Sequence, residues 1–121
     1  MPTIILYGYE QDEATRLQQG LQSLLETEID ILSACGMENA TVTEIISMRP
    51  DKIFFSHPFK VMVFVDFEDE AISKTVYNFP KEVSRPIFCG LTPDNVKWRF
   101  GYLLEHLLEE YRLWQKQKKN P

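Results

Sequence analysis

A chain of 121 residues has the size of one globular domain and can bury enough apolar surface to fold without a metal or a disulfide. Its formal net charge of −5 argues against nucleic acid as the main partner, because phosphate binding requires a basic surface. Met1 leads into a short apolar run with no basic leader, and no apolar segment approaches the roughly twenty residues of a membrane span. We therefore expect a cytoplasmic protein without a membrane partner.

The first half of the chain shows the pattern strand, helix, strand, helix. Residues 4–9 are apolar and predict the first strand. Acidic residues then open a helix whose leucines recur at helical spacing as far as Leu25. Residues 28–34 alternate between polar and apolar, which predicts an edge strand, and residues 41–48 predict a short helix.

The second half repeats this pattern. Residues 60–66 are nearly all apolar and predict a central strand, followed by an acidic helix that Pro80 ends. Residues 86–90 predict a buried fourth strand. Thr92 before Pro93 is a helix start signal, so we expect one long amphipathic helix over residues 93–117.

Shifting the chain by 57 positions aligns the two halves, pairing for example Asp12-Glu13-Ala14 with Asp69-Glu70-Ala71. We predict a single domain over residues 1–121, with half-repeats at about 3–49 and 60–115 and a linker at 50–59. The fold class is α/β. We expect a small doubly wound sheet of four mainly parallel strands in the order 2-1-3-4, with helices on both faces and a duplicated βαβα unit.

This arrangement predicts where a site would lie. If strands one and three run side by side in the same direction, their carboxyl ends form a topological switch point, where open parallel sheets bind ligands. The residues at or beside that rim form the candidate binding site: Tyr9, Glu10, Asp12, Asp66 and Thr92.

Two interpretations of the acidic rim remain open. Glu10, Asp12 and Asp66 could hold a divalent cation such as Mg²⁺, which prefers oxygen ligands, in a plan similar to a response-regulator receiver domain. However, there is no fifth strand followed by a phosphoryl-binding lysine. Acidic residues at helix starts are otherwise explained by the helix dipole, in which case we expect no cofactor.

Catalysis is not expected. The nucleophile candidates Cys35, Cys89 and Ser33 have no base placed near them by the sequence. His106 lies four residues before Glu110, which predicts a surface helical pair. We therefore predict no catalytic residue.

The end of the last helix is more apolar than a four-stranded sheet can cover. Leu107, Leu108, Tyr111 and Trp114 form a candidate interface with a second copy of the chain or with another protein. The alternative is that Trp114 folds back onto residues 53–59.

The segment PIFCGLTPDNVKWRFGYLLEHLLEEY resembles the characteristic end of a bacterial family catalogued as domain of unknown function 3783. The residues that carry the resemblance are Thr92, Asn95, Trp98, Leu103, Leu104, Leu107 and Glu109. It covers about residues 60–114, and the first half, with Asn39 and Thr41, is similar only as a degenerate copy. The resemblance implies the fold but no activity, so the leading hypothesis is a non-enzymatic interaction module and the alternative a metal-binding, receiver-like switch.

Overall fold

A computed structural model describes residues 2–50 and 52–119, with side chains as far as residue 116. Its elements, in chain order, are β1 (Thr3–Tyr7), α1 (Gln11–Leu25), β2 (Asp30–Ser33), α2 (Val42–Met48), β3 (Val61–Val65), α3 (Asp69–Tyr77), β4 (Ile87–Gly90), a 3₁₀ turn (Asn95–Lys97) and α4 (Phe100–Lys119). The predicted α/β class and the two successive βαβα units are both present.

The sheet has the predicted order β2-β1-β3-β4, with β2 and β4 at its edges. β1 pairs with β2 in parallel, and β3 pairs with β4 in parallel. The two inner strands, however, are antiparallel, with Tyr7 opposite Val61 and Thr3 opposite Val65. The prediction that β1 and β3 run in the same direction is therefore wrong, and the sheet is mixed.

The antiparallel pairing relates the halves by an approximate two-fold axis. Ile5 faces Val63 at the centre of the β1/β3 pair, and Thr41 faces Arg99 in an isolated antiparallel bridge. Both pairs are separated by 58 positions, close to the shift that aligns the halves in the sequence. A two-fold axis perpendicular to the sheet reverses strand direction without exchanging the faces, so equivalent helices lie on the same face.

Each face of the sheet carries its own core. On one face, side chains such as Ile4 and Met62 pack with α1 and with the segment after α3. On the other, Ile5 and Val63 pack with α2 and α4. The alternation follows from the period of two in a strand, because successive side chains point to opposite faces. Helices cover both faces, as predicted.

The linker between the halves follows β2 and then crosses the end of β1. The Ser33 hydroxyl donates to the carbonyl of Ile53, and the Phe55 amide donates to the Cys35 sulfur at 3.4 Å. The amide of His57 then donates to the Gly8 carbonyl at 3.0 Å. Residues 52–57 therefore pass the end of β2 and then the end of β1. Asp51, which belongs to the predicted linker, lies outside the described residues.

The last helix begins later than predicted. Thr92 and Asn95 cap each other: the Thr92 amide donates to Asn95 Oδ1 at 2.8 Å, and the Asn95 amide donates to Thr92 Oγ1 at 3.0 Å. This local hydrogen bonding supports only one 3₁₀ turn, because Trp98 is extended (φ −76°, ψ 149°). Thr92 is therefore a genuine cap, but it caps the 3₁₀ turn, and α4 starts at Phe100.

Candidate functional site

The acidic rim predicted from the sequence does not form. Because β1 and β3 are antiparallel, Glu10 and Asp12 follow β1 at one end of the strands, whereas Asp66 follows β3 at the opposite end. Thr92 follows β4, which is parallel to β3, and so it lies at the same end of the sheet as Asp66. The inferred switch point between β1 and β3 is therefore wrong, and with it the geometric basis for one site made of these residues.

Tyr9 is part of the core. Its side chain is fully buried, and its hydroxyl donates to the Ser84 carbonyl at 2.5 Å. The Lys60 ammonium lies 5.5 Å from the centre of the ring. Burial raises the pKa of the phenol well above its ordinary value, with a smaller contribution from Glu13. Tyr9 therefore joins β1 to the loop before β4.

The acids at the helix starts have local roles. The Glu10 amide donates to Glu13 Oε1 in the first turn of α1 at 3.1 Å, and Asp12 is exposed in the same turn. Asp66 adopts a left-handed conformation (φ 59°) and lines a cavity of about 320 Å³ with Glu68 and Glu70. Within residues 2–50 and 52–119, no three His, Cys, Asp or Glu side chains are grouped so that they could hold a metal ion.

A groove runs along the outer edge of β4, between that strand and α4. It consists of three cavities of about 550, 230 and 380 Å³ that share lining residues. The first two share Tyr111 and Trp114, and the second and third share Leu107 and Glu110. We call the whole of it the edge groove. The ring of Phe88 packs on the other face of the sheet, with Phe64 and Phe79, so the groove reaches the strand at its edge.

One end of the edge groove is basic. Lys60 and Arg85 line it together with Pro58, Pro86, Tyr111 and Trp114, and no acidic residue is among the described side chains that form this end. The Arg85 guanidinium lies 5.0 Å from the centre of the Phe88 ring. Lys60 donates to two backbone carbonyls, of Gly8 at 2.8 Å and His57 at 2.5 Å. Both cations are thus held by neutral groups, in a chain whose net charge is negative.

The opposite end is acidic. Asp94 and Glu110 line it with Trp98 and His106, and neither lysine nor arginine occurs among the described side chains there. His106 Nε2 lies 2.8 Å from Glu110 Oε1, which confirms the predicted surface pair. Trp98 packs edge-on against His106 at 5.1 Å and against Tyr102 at 4.9 Å. The motif residue Trp98 therefore forms an aromatic cluster on the flank of α4.

Cys89 and Asn95 also line the acidic end of the edge groove. The Asn95 side chain donates from Nδ2 to the Gly90 carbonyl at 3.1 Å, so its role is to hold the loop after β4. Burial raises the pKa of the Cys89 thiol to about 11, and Glu110 adds to the shift. A thiol with such a pKa stays protonated at neutral pH and is a poor nucleophile.

The distal half of α4, residues 108–116, carries the exposed apolar side chains. Tyr111 is 44% exposed, Leu113 55% and Trp114 54%. Leu107, a member of the predicted interface, is instead buried in its own core, and Leu108 is half-buried. At 1.5 Å per residue the helix is roughly 30 Å long, longer than a strand of four residues, so its end extends past the sheet. Trp114 also lies across the groove from Pro58, which belongs to the segment onto which the alternative prediction folds it.

The outer sides of β2 and β4 are the two edges of the sheet. Residues 52–57 contact the end of β2 through the Ser33 hydroxyl and the Cys35 sulfur, whereas no described strand or linker pairs with the outer side of β4. Sequence reasoning missed Lys60, Arg85 and Asp94, which border that open edge. The only available signal was their position just before β3, just before β4 and just after β4, and it becomes meaningful only when the strand order and the path of α4 are known.

Comparison with known proteins gives one match. Residues 60–113 match the family described as Domain of unknown function (DUF3783). The matched segment extends from β3 to the distal half of α4. No curated protein and no solved structure matches the chain. In the described part of the chain, none of the helices combines the length and apolar character that crossing a membrane requires.

Proposed function

We propose that this chain is a non-enzymatic interaction module that self-associates through the distal half of α4. The observation that carries the proposal is the concentration of exposed apolar side chains there. Three of them, Tyr111, Leu113 and Trp114, lie within four consecutive residues of the distal half of the helix. Apolar surface of this kind, bordered by charged residues, is typical of interaction sites in soluble proteins.

The charges along α4 favour a second copy as the partner. Glu109 and Glu110 precede Tyr111, whereas Arg112 and Lys116 follow it. A two-fold axis near Tyr111 would place two such helices antiparallel, with the acidic part of each beside the basic part of the other. Two-fold dimers are the commonest symmetric assembly, and a self-complementary surface is what their interface requires.

The hydrogen bonds of the nucleophile candidates support the absence of catalysis. Ser33 donates to a backbone carbonyl of the linker, and the Cys89 sulfur lies 3.3 Å from the Gly90 carbonyl. The two histidines are engaged elsewhere, since His57 stacks on Tyr7 at 4.8 Å and His106 pairs with Glu110. A nucleophile needs a base within hydrogen-bond reach. The contacts of these side chains are instead with backbone carbonyls, an aromatic ring and a carboxylate.

Sedimentation velocity over a wide range of protein concentration tests the proposal. We expect the wild-type chain to dimerise as concentration rises and Trp114→Glu to remain monomeric, because the charge must be desolvated in the interface. Tyr77→Glu is the matched control: it places the same charge on a side chain that is 86% exposed at the end of α3. We expect this control to dimerise like wild type.

Two further measurements keep the test decisive. Circular dichroism establishes that each variant is folded, and Tyr111→Glu provides a second variant on the same side of the helix if Trp114→Glu does not fold. A wild-type chain that stays monomeric at the highest concentration contradicts self-association. A dimer that both glutamate variants leave unchanged contradicts the assignment to α4.

A further inference from the structure

The edge groove has opposite charges at its two ends, and this property points to a specific mode of pairing. Its basic end contains Lys60 and Arg85, beside the start of β4. Its acidic end contains Asp94 and Glu110, beside the end of β4. The charge along the groove therefore changes from positive to negative in the direction of the strand. The groove borders the sheet edge that no described strand covers.

A surface with this charge pattern is complementary to itself when it is reversed. A two-fold axis that passes beside the outer edge of β4, level with the middle of the strand, brings the beginning of one strand opposite the end of the other. The basic end of each groove then faces the acidic end of its partner, and each charged contact occurs twice. A pairing without reversal would place like charges together, which is unfavourable.

We propose that two copies of the chain meet across the outer edges of β4 in antiparallel orientation, with Arg85 of each copy facing Asp94 of the other. This inference rests on the self-association proposed above and specifies its geometry. The distal half of α4 borders the same groove through Tyr111 and Trp114, so the apolar contact and the charged contacts belong to one continuous surface. The occupant of the edge groove is therefore the second copy.

Arg85 and Asp94 are suitable for a charge-reversal experiment because both side chains are exposed. Asp94 makes no side-chain cap to the 3₁₀ turn. The described contact of the Arg85 guanidinium is with the ring of Phe88, 5.0 Å from its centre. Reversing either charge changes the surface while leaving the core and the capping hydrogen bonds of Thr92 and Asn95 in place.

The experiment compares Arg85→Glu, Asp94→Arg and the double variant by sedimentation equilibrium at low and high salt. Each single reversal converts two attractive contacts into two repulsive ones, so we expect the dimer dissociation constant to rise about tenfold or more at low salt. High salt should reduce that difference. The double variant restores opposite charges across the axis, and its dissociation constant should return close to that of wild type.

Arg16→Glu on α1 and Glu105→Arg on α4 are the matched controls. Arg16 is exposed on the other face of the sheet, and Glu105 lies five residues before Glu110, on a different side of the helix. Neither control should change the dissociation constant as much as the single reversals do. Together they separate a specific contact from a general effect of net charge.

The outcomes distinguish this inference from the proposal it rests on. If wild type is monomeric, both fail. If wild type dimerises through Trp114 but Arg85→Glu and Asp94→Arg have no effect, or the double variant is not rescued, then self-association stands and the antiparallel pairing across β4 is overturned. If a dimer forms whose affinity follows the single variants and recovers in the double variant, the pairing is supported.

Discussion

The close approach at Gly8 is the basis of our most specific stability prediction. Gly8 has φ +95°, and a Cβ placed on it would lie 2.6 Å from the Phe59 carbonyl oxygen and 3.1 Å from the Cα of Lys60. Both neighbours include main-chain atoms at the start of β3, which cannot move without disturbing the β1/β3 pair. Gly8→Ala therefore faces a backbone penalty and a steric penalty together.

The two penalties can be estimated separately. A left-handed conformation costs an L-residue roughly 1–2 kcal/mol. Forcing a methyl group into occupied space typically costs about 1–3 kcal/mol more. We expect Gly8→Ala to lower the free energy of unfolding by about 2–5 kcal/mol, a large part of the 5–15 kcal/mol typical of a domain.

Gly36→Ala is the matched control. Gly36 also has a positive φ, of +77°, but nothing lies within 4 Å of the Cβ position. It should carry only the backbone penalty of roughly 1–2 kcal/mol. Urea unfolding followed by circular dichroism measures both variants. Equal losses at Gly8 and Gly36 would refute the reasoning, because they would mean that the chain does not pass tightly over the end of β1.

Three further predictions concern single side chains. Lys60→Met removes the ammonium contacts to the carbonyls of Gly8 and His57 and should lower the free energy of unfolding by about 1–3 kcal/mol in the same urea titration. Asn95→Ala removes the bonds that hold the loop after β4 and should cost about 2–3 kcal/mol by thermal unfolding, whereas Asn95→Asp keeps the Oδ1 acceptor and should lose less. Burial raises the pKa of Cys89 to about 11 from 9.0, so the native state keeps its proton where the unfolded state loses it, and stability should fall as pH rises from 9 towards 11. Cys89→Ala should make that fall shallower.

Each of these predictions has a contrary result. A Lys60→Met variant as stable as wild type would mean that the two carbonyls are equally well hydrated without the ammonium. If Asn95→Asp is no better than Asn95→Ala, the bond from the Thr92 amide is not the important one. A pH dependence that is identical in wild type and in Cys89→Ala would place the titration in other groups, such as Tyr9, whose pKa burial also raises.

The local pattern of the sequence determined most of the secondary structure. The apolar runs, the acidic helix starts and the leucine spacing predicted the four strands and the approximate course of the helices, because these signals depend on neighbouring residues. The one local error was the start of α4. Thr92 carries a genuine cap, but its reciprocal bonds with Asn95 close a single turn. The contacts of residues 98–101 with residues 38–42, among them the bridge from Thr41 to Arg99, fix where the helix begins.

The direction of the inner strand pair was decided by tertiary structure. Two similar βαβ units can be joined along their inner strands by a shift, which makes them parallel, or by a rotation, which makes them antiparallel. The apolar residues of β1 and β3 suit both, since either arrangement buries both faces. The long linker allows the rotation, and its contacts with Gly8, through the His57 amide and the Lys60 ammonium, hold the chain where it turns into β3.

That choice also determined which residues can act together. The sequence by itself determined that acidic residues follow the strands and that the last helix has an apolar end. It did not determine that Glu10 and Asp66 lie at opposite ends of the strands, or that Arg85 and Asp94 lie at the two ends of one groove. Strand direction decides which strand termini lie at the same end of the sheet, and it is a property of pairing between segments distant in the chain.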